Sequence, residues 1–157
     1  MVFSVLLLCF LIGCVAGLRS MMAPAIICAA AYLRWIHLDG TPLAFLLAPP
    51  ALWIFTFLAI AELIADKLPK TPARTAPIGL ISRAVTGGLC GAALAASGAK
   101  SLAVGAVLGA LGGVAGAFAG YQIRRGLVLQ MQVPDFVIAV VEDLLAISGG
   151  LFVASRM

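Results

Sequence analysis

The sequence predicts an all-α fold, a polytopic bundle of about six transmembrane helices forming a single membrane domain over residues 1–157. Of the 157 residues, 64% are hydrophobic and only 10% are charged, whereas a soluble domain carries about 25% charged and about 45–50% apolar residues. The chain also contains 17 glycines, a residue that lets transmembrane helices approach each other closely. The apolar stretches leave no length for a soluble domain.

Six apolar stretches separated by short connections are the predicted spans. They cover about residues 2–16, 21–33, 51–65, 78–96, 101–123 and 134–155. Pro50 and Pro134 stand where a helix would begin, and proline is favoured in the first turn. The second stretch is short, so it is predicted either to cross fully or to form a re-entrant segment.

Basic residues predict the orientation, because Lys and Arg concentrate in cytoplasmic connections. With six crossings, one side collects Arg19, Lys67, Lys70, Arg74, Arg124 and Arg125. The other side collects Arg34, Lys100 and Arg156. The first side is therefore predicted to be cytoplasmic, with both termini outside. The net charge of +4 follows from these scattered residues, so no nucleic-acid partner is expected.

The four cysteines lie in apolar stretches and form no CxxC motif, which favours a role as small hydrophobic residues in helix contacts. The segment LIGC, which ends at Cys14, resembles a lipoprotein cleavage box. Residues 1–4 contain no Lys or Arg, whereas a secretory signal begins with basic residues. This absence argues against lipidation at Cys14.

The segment AELIADKLPKTPAR, residues 61–74, closes the third span and carries the first acidic pair. Glu62 and Asp66 stand four residues apart, so they share one face of a helix. In the last span, Glu142 lies about 12 Å beyond Pro134, and its neighbour Asp143 points about 100° away around the helix. Ionisable residues at such depth are costly and by default functional.

These acids, with two arginines, are predicted to form a buried substrate or ion site. Its members are Glu62, Asp66, Glu142, Asp143, Arg83 and Arg19. Glu142 is the leading residue, since it is the deepest and the farthest from a local partner. The alternative is a set of structural ion pairs that hold the bundle in register, for instance Glu62 with Arg83.

Two function classes follow. The first is a small transporter or channel for protons, a cation or a small solute, working as a homodimer. The second is a non-transporting membrane component, either a lipid-binding protein or a partner subunit. Membrane lipids are expected partners in both, and Lys67, Lys70 and Arg74, in a loop stiffened by prolines, are candidate anionic-lipid contacts.

Two stripes of glycine recur every four residues along the fifth span and predict tight helix contacts on two sides. The first contains Gly105, Gly109 and Gly113, and the second contains Gly112, Gly116 and Gly120. A conduit lined by backbone carbonyls is the alternative interpretation of the same glycines.

The sequence does not predict an enzyme. It contains neither HExxH nor GxSxG, and its single histidine, His37, falls in an outer connection. Aspartyl chemistry through Asp66 and Asp143 remains an alternative without a supporting motif. No cofactor is expected, and the sequence leaves a metal open.

Five segments resemble the small bacterial membrane proteins grouped as domain of unknown function 4126. They are GLRSMMAPA, AELIADKLPKTP, ISRAVTGGLCGAAL, AGYQIRR and PDFVIAVVEDLLAI. The most specific pieces are Glu62, Ala65, Asp66, Lys67 and Pro69, and then Val141, Glu142 and Asp143. The resemblance implies an integral protein of the bacterial inner membrane, with periplasmic termini on the orientation above, and brings no assigned activity. Many members carry Asn at the place of Arg19.

Overall fold

A computed structural model of the chain describes residues 4–66, 76–131 and 134–157. Within these ranges the regular structure is entirely helical, which confirms the predicted fold class. The helices are α1 (Val5–Leu18), α2 (Met22–Tyr32), α3 (Pro49–Ala65), α4 (Pro77–Ser97), α5 (Leu102–Met131) and α6 (Asp135–Ala154), with a 3-10 turn at Ala44–Leu47. Three of them, α4, α5 and α6, are long and apolar enough to cross a membrane, and α1, α2 and α3 are shorter apolar helices. The protein is a membrane protein.

The core of the bundle is α5 packed between α1 and α4, with backbone touching backbone. A methyl group at Gly109 would overlap the carbonyl oxygen of Gly87 on α4, and one at Gly13 on α1 would overlap the carbonyl oxygen of Gly109. On the second stripe, Gly112 and Gly116 lie against the carbonyl oxygens of Phe10 and Cys14 in α1. Glycine is required at these contacts because no side chain fits between the helices.

The glycine contacts also give the helix directions. Gly13 and Gly17 on α1 meet Gly109 and Gly113 on α5, so these two helices run parallel. On α4 the order is reversed, because Gly87 meets Gly109 whereas Gly91 meets Gly105. α4 and α5, which are adjacent in the chain, therefore run antiparallel.

The first two helices are too short to reach both ends of the bundle. At 1.5 Å per residue, α1 is about 21 Å long and α2 about 16 Å, against about 30 Å for the hydrocarbon core. Their connection, residues 17–21, is named the buried turn here. The hydroxyl of Ser20 meets that of Ser82, which lies five residues, or about 7 Å, inside α4. The buried turn therefore lies inside the bundle, about 7 Å from the N-terminal end of α4.

The fifth helix is longer than the predicted span, which ended at residue 123. It continues to Met131, so Arg124 and Arg125 belong to the helix and not to a connection. The prediction followed apolarity, whereas Arg, Gln and Leu are themselves good helix formers. A helix can thus extend past the point where the sequence stops being apolar.

One helix end offers a test of the backbone geometry. Ala99 follows α4 with a φ of 52°, and Lys100 donates its N–H to the Ala95 carbonyl at 2.8 Å. This is the αL closure that glycine prefers. Ala99→Gly is therefore expected to raise the unfolding free energy by about 0.5–1 kcal/mol. Thermal unfolding in detergent would measure it, and Ala96→Gly, inside the helix, is the control expected to lose about 1 kcal/mol. Equal shifts in both variants would contradict the prediction.

Candidate functional site

Arg19 lies at the centre of the predicted polar cluster. It has no exposed surface, and its guanidinium is ion-paired with Asp66 at the end of α3 and with Asp143 in α6, where Nη2 lies 2.6 Å from Oδ1. These three residues are named the Arg19 triad. One cation is thus shared between two carboxylates that come from different helices.

The local chain direction explains how Arg19 reaches this position. α1 ends at Leu18, and Arg19 adopts an extended conformation with φ of −138° and ψ of 107°, which carries the chain out of the helix before α2 begins. A buried guanidinium is costly unless it is paired and hydrogen-bonded. The planar guanidinium of arginine can bind two carboxylates at once, whereas the ammonium of lysine is less suited to this geometry.

Glu62 binds the backbone of the buried turn. Its Oε1 accepts the N–H of Ser20 at 2.8 Å, and its Oε2 accepts the N–H of Met21 at 2.7 Å. Both N–H groups belong to the two residues that precede α2, next to the helix N-terminus, where the dipole favours a negative charge. Glu62 therefore caps α2 from a different helix.

Arg83 binds the other end of the buried turn. Its Nε donates to the carbonyl of Gly17 at 3.0 Å, and one Nη donates to the Gly79 carbonyl at 3.0 Å. Gly17 lies in the last turn of α1, where a cation is favoured. The ion pair between Glu62 and Arg83 suggested from the sequence is wrong: each residue instead binds backbone groups of residues 17–21, because backbone inside a membrane must be satisfied within the protein.

Three hydroxyls complete the surroundings of the buried turn, and the sequence prediction omitted them. Ser20 Oγ lies 2.7 Å from Ser82 Oγ and 3.5 Å from Thr86 Oγ1. Thr86 donates its hydroxyl hydrogen to the Ser82 carbonyl at 2.9 Å. The sequence feature that could have identified two of them is the spacing of Ser82 and Thr86, which lie four residues apart on either side of Arg83 in an apolar span.

Glu142 and Asp143 have different partners, as expected from their 100° separation around the helix. Asp143 joins the Arg19 triad, whereas Glu142 Oε2 lies 3.4 Å from an Nη atom of Arg124 on α5. The α6 carboxylate that pairs with Arg19 is thus Asp143 and not Glu142, the residue that the sequence favoured. Arg124 was assigned to a connection and missed as a partner, because the predicted span ended before it.

The predicted site residues therefore come together at one end of the bundle, although in separate contacts. Arg19, Asp66 and Asp143 form the triad, Glu62 and Arg83 hold the buried turn, and Glu142 pairs with Arg124. The candidate lipid contacts Lys67, Lys70 and Arg74 lie outside the described residues. Across the ranges that the structure describes, no three His, Cys, Asp or Glu side chains converge as a metal site.

Comparison with known proteins identifies the family. The profile of a protein family described as a domain of unknown function (DUF4126) matches residues 6–155. The chain belongs to the DUF4126 family. The match covers α1 from its second residue, the other five helices in full and the whole polar cluster, and it confirms the resemblance noted in the sequence. No curated protein and no solved structure matches this chain.

Most of the cluster of this DUF4126 protein is buried, and Asp66 and Arg124 are partly exposed, with side chains 13% and 20% accessible. Arg19 is 0% exposed, Glu142 7% and Asp143 8%. The sequence suggested four acids against two arginines; Arg124 and the positive end of the α2 dipole reduce that imbalance.

Proposed function

We propose that this DUF4126 protein is a small membrane transporter or channel that moves protons, a cation or a small polar solute through the Arg19 triad. The observation that carries the proposal is the fully buried guanidinium of Arg19, shared between Asp66 and Asp143. Ionisable groups inside membrane segments are expensive and mark ion or proton pathways by default.

The triad supplies a switch between two arrangements. Asp66 is at the end of α3 and Asp143 is in α6, so Arg19 links the buried turn to both helices. A proton or cation on either carboxylate weakens its hold on Arg19 and leaves the guanidinium with the other carboxylate. Such a change would loosen one helix from the buried turn while the second stays attached, which is the kind of two-state element that transport needs.

The break between α1 and α2 supports the same proposal. The end of α1 and the start of α2 meet inside the bundle at residues 17–21, next to the triad. In known transporters, half-helix ends near the middle of the membrane bind substrates and coupling ions. Glu62 and Arg83 hold these ends in place here, so they are assigned a positioning role.

Flux through proteoliposomes tests the proposal. The wild-type protein is expected to dissipate a pH gradient, or a gradient of one cation or small solute, and Asp143→Asn is expected to reduce that flux at least tenfold. Asp39→Asn is the matched control, because Asp39 pairs with Arg34 at the surface, with side chains 62% and 66% exposed. Its flux should equal that of the wild type. Equal flux in Asp143→Asn, with folding verified by circular dichroism, would refute the role of the triad.

The second candidate is a non-transporting membrane component, a lipid-binding protein or a partner subunit. It is favoured by the fact that each member of the predicted site has a charged or backbone partner inside the bundle. The cluster could then serve only to bury the turn of residues 17–21. Absence of flux for every gradient tested, together with copurification of a stoichiometric lipid or protein, would favour this candidate.

The surroundings of the protein are proposed from its charges. We place the cluster end of the bundle in the cytoplasmic half of a bacterial inner membrane and both termini in the periplasm. Arg19, Arg124 and Arg125 lie at the cluster end, whereas Lys100 and Arg156 lie at the opposite end, which fits the positive-inside rule. Assembly as a homodimer is part of the same proposal, and light scattering of the detergent complex would test it.

A further inference from the structure

A shallow, open groove lies on the surface of α5 beside the cluster. Its volume is about 280 Å³, and Tyr121, Arg124, Arg125 and Val128 line it. These residues are spaced i, i+3, i+4 and i+7, so they occupy one face of the helix. Since Arg124 reaches Glu142 on α6, the groove lies on the side of α5 that α6 approaches.

The groove combines two guanidinium groups with a phenol and an apolar wall. Arginine binds phosphate through paired N–H groups, and tyrosine is enriched at the level of lipid headgroups. Arg125 is exposed, and no ion pair engages it within the part of the chain that the structure describes. We propose that this groove binds the phosphate headgroup of an anionic phospholipid.

The surroundings of the groove favour a lipid over a free phosphate. Phe118 lies one turn before Tyr121 and is 46% exposed, while Val137 and Val141 on α6 are 47% and 49% exposed. Exposed apolar side chains in a membrane protein contact acyl chains. A phosphodiester held between the arginines would thus have its chains along α5 and α6, as in the basic pockets between helices that bind anionic lipids.

The same groove is connected to the polar cluster through Arg124. The distance from Arg124 Nη to Glu142 Oε2 is 3.4 Å, longer than the 2.7–2.9 Å typical of charge-assisted hydrogen bonds. A phosphate in the groove therefore competes with Glu142 for Arg124. Removing the charge of Glu142 should strengthen lipid binding. The lipid site itself does not depend on whether the protein transports anything.

Lipid binding to the full chain tests the proposal. The purified protein in neutral detergent is titrated with phosphatidylglycerol and with phosphatidylcholine, and bound lipid is counted by native mass spectrometry. Wild type should prefer phosphatidylglycerol, Arg125→Gln should bind it about fivefold more weakly, and Glu142→Gln should bind it more tightly. The control Arg156→Gln should match wild type, since Arg156 is also exposed and lies over the Phe152 ring at 4.7 Å, away from the groove.

Three results would overturn the lipid site. The first is equal binding of both lipids by the wild type. The second is unchanged binding of phosphatidylglycerol by Arg125→Gln. In the third, inorganic phosphate at the lipid's concentration displaces it completely, which would assign the groove to a free phosphate. Arg125 is exposed, so its variant should fold, and an unchanged unfolding midpoint would verify this.

Discussion

Replacing Arg19 with methionine is expected to lower the free energy of unfolding by about 3–5 kcal/mol. The substitution keeps much of the side-chain length but removes the cation, leaving Asp66 and Asp143 without the charge that they share. Removing one partner of a buried ion pair is among the costliest changes in a protein interior. Unfolding by SDS in mixed micelles, followed by tryptophan fluorescence, would measure the loss.

The Arg34–Asp39 pair supplies the control for this experiment. Its two atoms lie 2.9 Å apart, but both side chains are mostly exposed. Arg34→Met should therefore lose no more than about 1 kcal/mol. If Arg19→Met were as stable as Arg34→Met, the triad could not be the buried ion cluster described here.

A triple variant distinguishes a structural role of the triad from a functional one. Arg19→Met with Asp66→Asn and Asp143→Asn removes all three charges together, and neutral replacement of a whole buried ion cluster is often tolerated. We expect it to recover most of the stability that Arg19→Met loses. A folded triple variant that has lost flux would assign the charges to transport, whereas flux equal to wild type would leave them a purely structural role.

The second large effect is expected at Gly109. Gly109→Ala places a methyl group against the carbonyl carbon and oxygen of Gly87 on α4. Because these backbone atoms cannot move aside as a side chain can, α4 and α5 must separate. The unfolding free energy should therefore fall by about 3 kcal/mol, in the upper part of the usual range for overpacking. The same unfolding assay in mixed micelles would measure this change.

Gly126 is the matched control on the same helix. A Cβ at Gly126 meets nothing within 4 Å, so Gly126→Ala should leave packing unchanged and add up to about 1 kcal/mol through helix propensity. The two variants make an identical chemical change in α5. A similar loss in both would mean that glycine acts through the flexibility of α5 and not through helix contact.

The helices could be predicted from apolarity, and the exceptions have physical reasons. Both boundaries of the predicted spans for α4 and α6 lie within one residue of the observed helix boundaries. Proline marks the start of each of these helices. α5 extends to Met131 since helical propensity continues through Arg124 and Arg125. The resemblance of the motifs to the DUF4126 family was also available in the sequence, and the family match confirms it.

The residues of the site could be named from sequence, but their pairing could not. Their positions within the predicted membrane spans, and the free-energy cost of burying charge there, identified six residues as unusual. They are Arg19, Asp66, Asp143, Glu62, Glu142 and Arg83. Periodicity alone indicated that Glu142 and Asp143 point about 100° apart and cannot serve one face of the helix equally. The caps that Glu62 and Arg83 place on the buried turn depend on backbone atoms of other helices, for which a sequence carries no signal.

What the sequence determined by itself was the environment of the chain, its helices and the set of charged residues that the membrane makes costly. These follow from local properties: apolarity, proline position and the cost of burying charge. The tertiary structure alone decided that Arg19 and not Glu142 is central, that Asp143 is its partner, and that Arg124 joins the cluster. Each depends on how far α1 and α2 reach and on the rotation of α5 and α6, which are set by the packing of all the helices together.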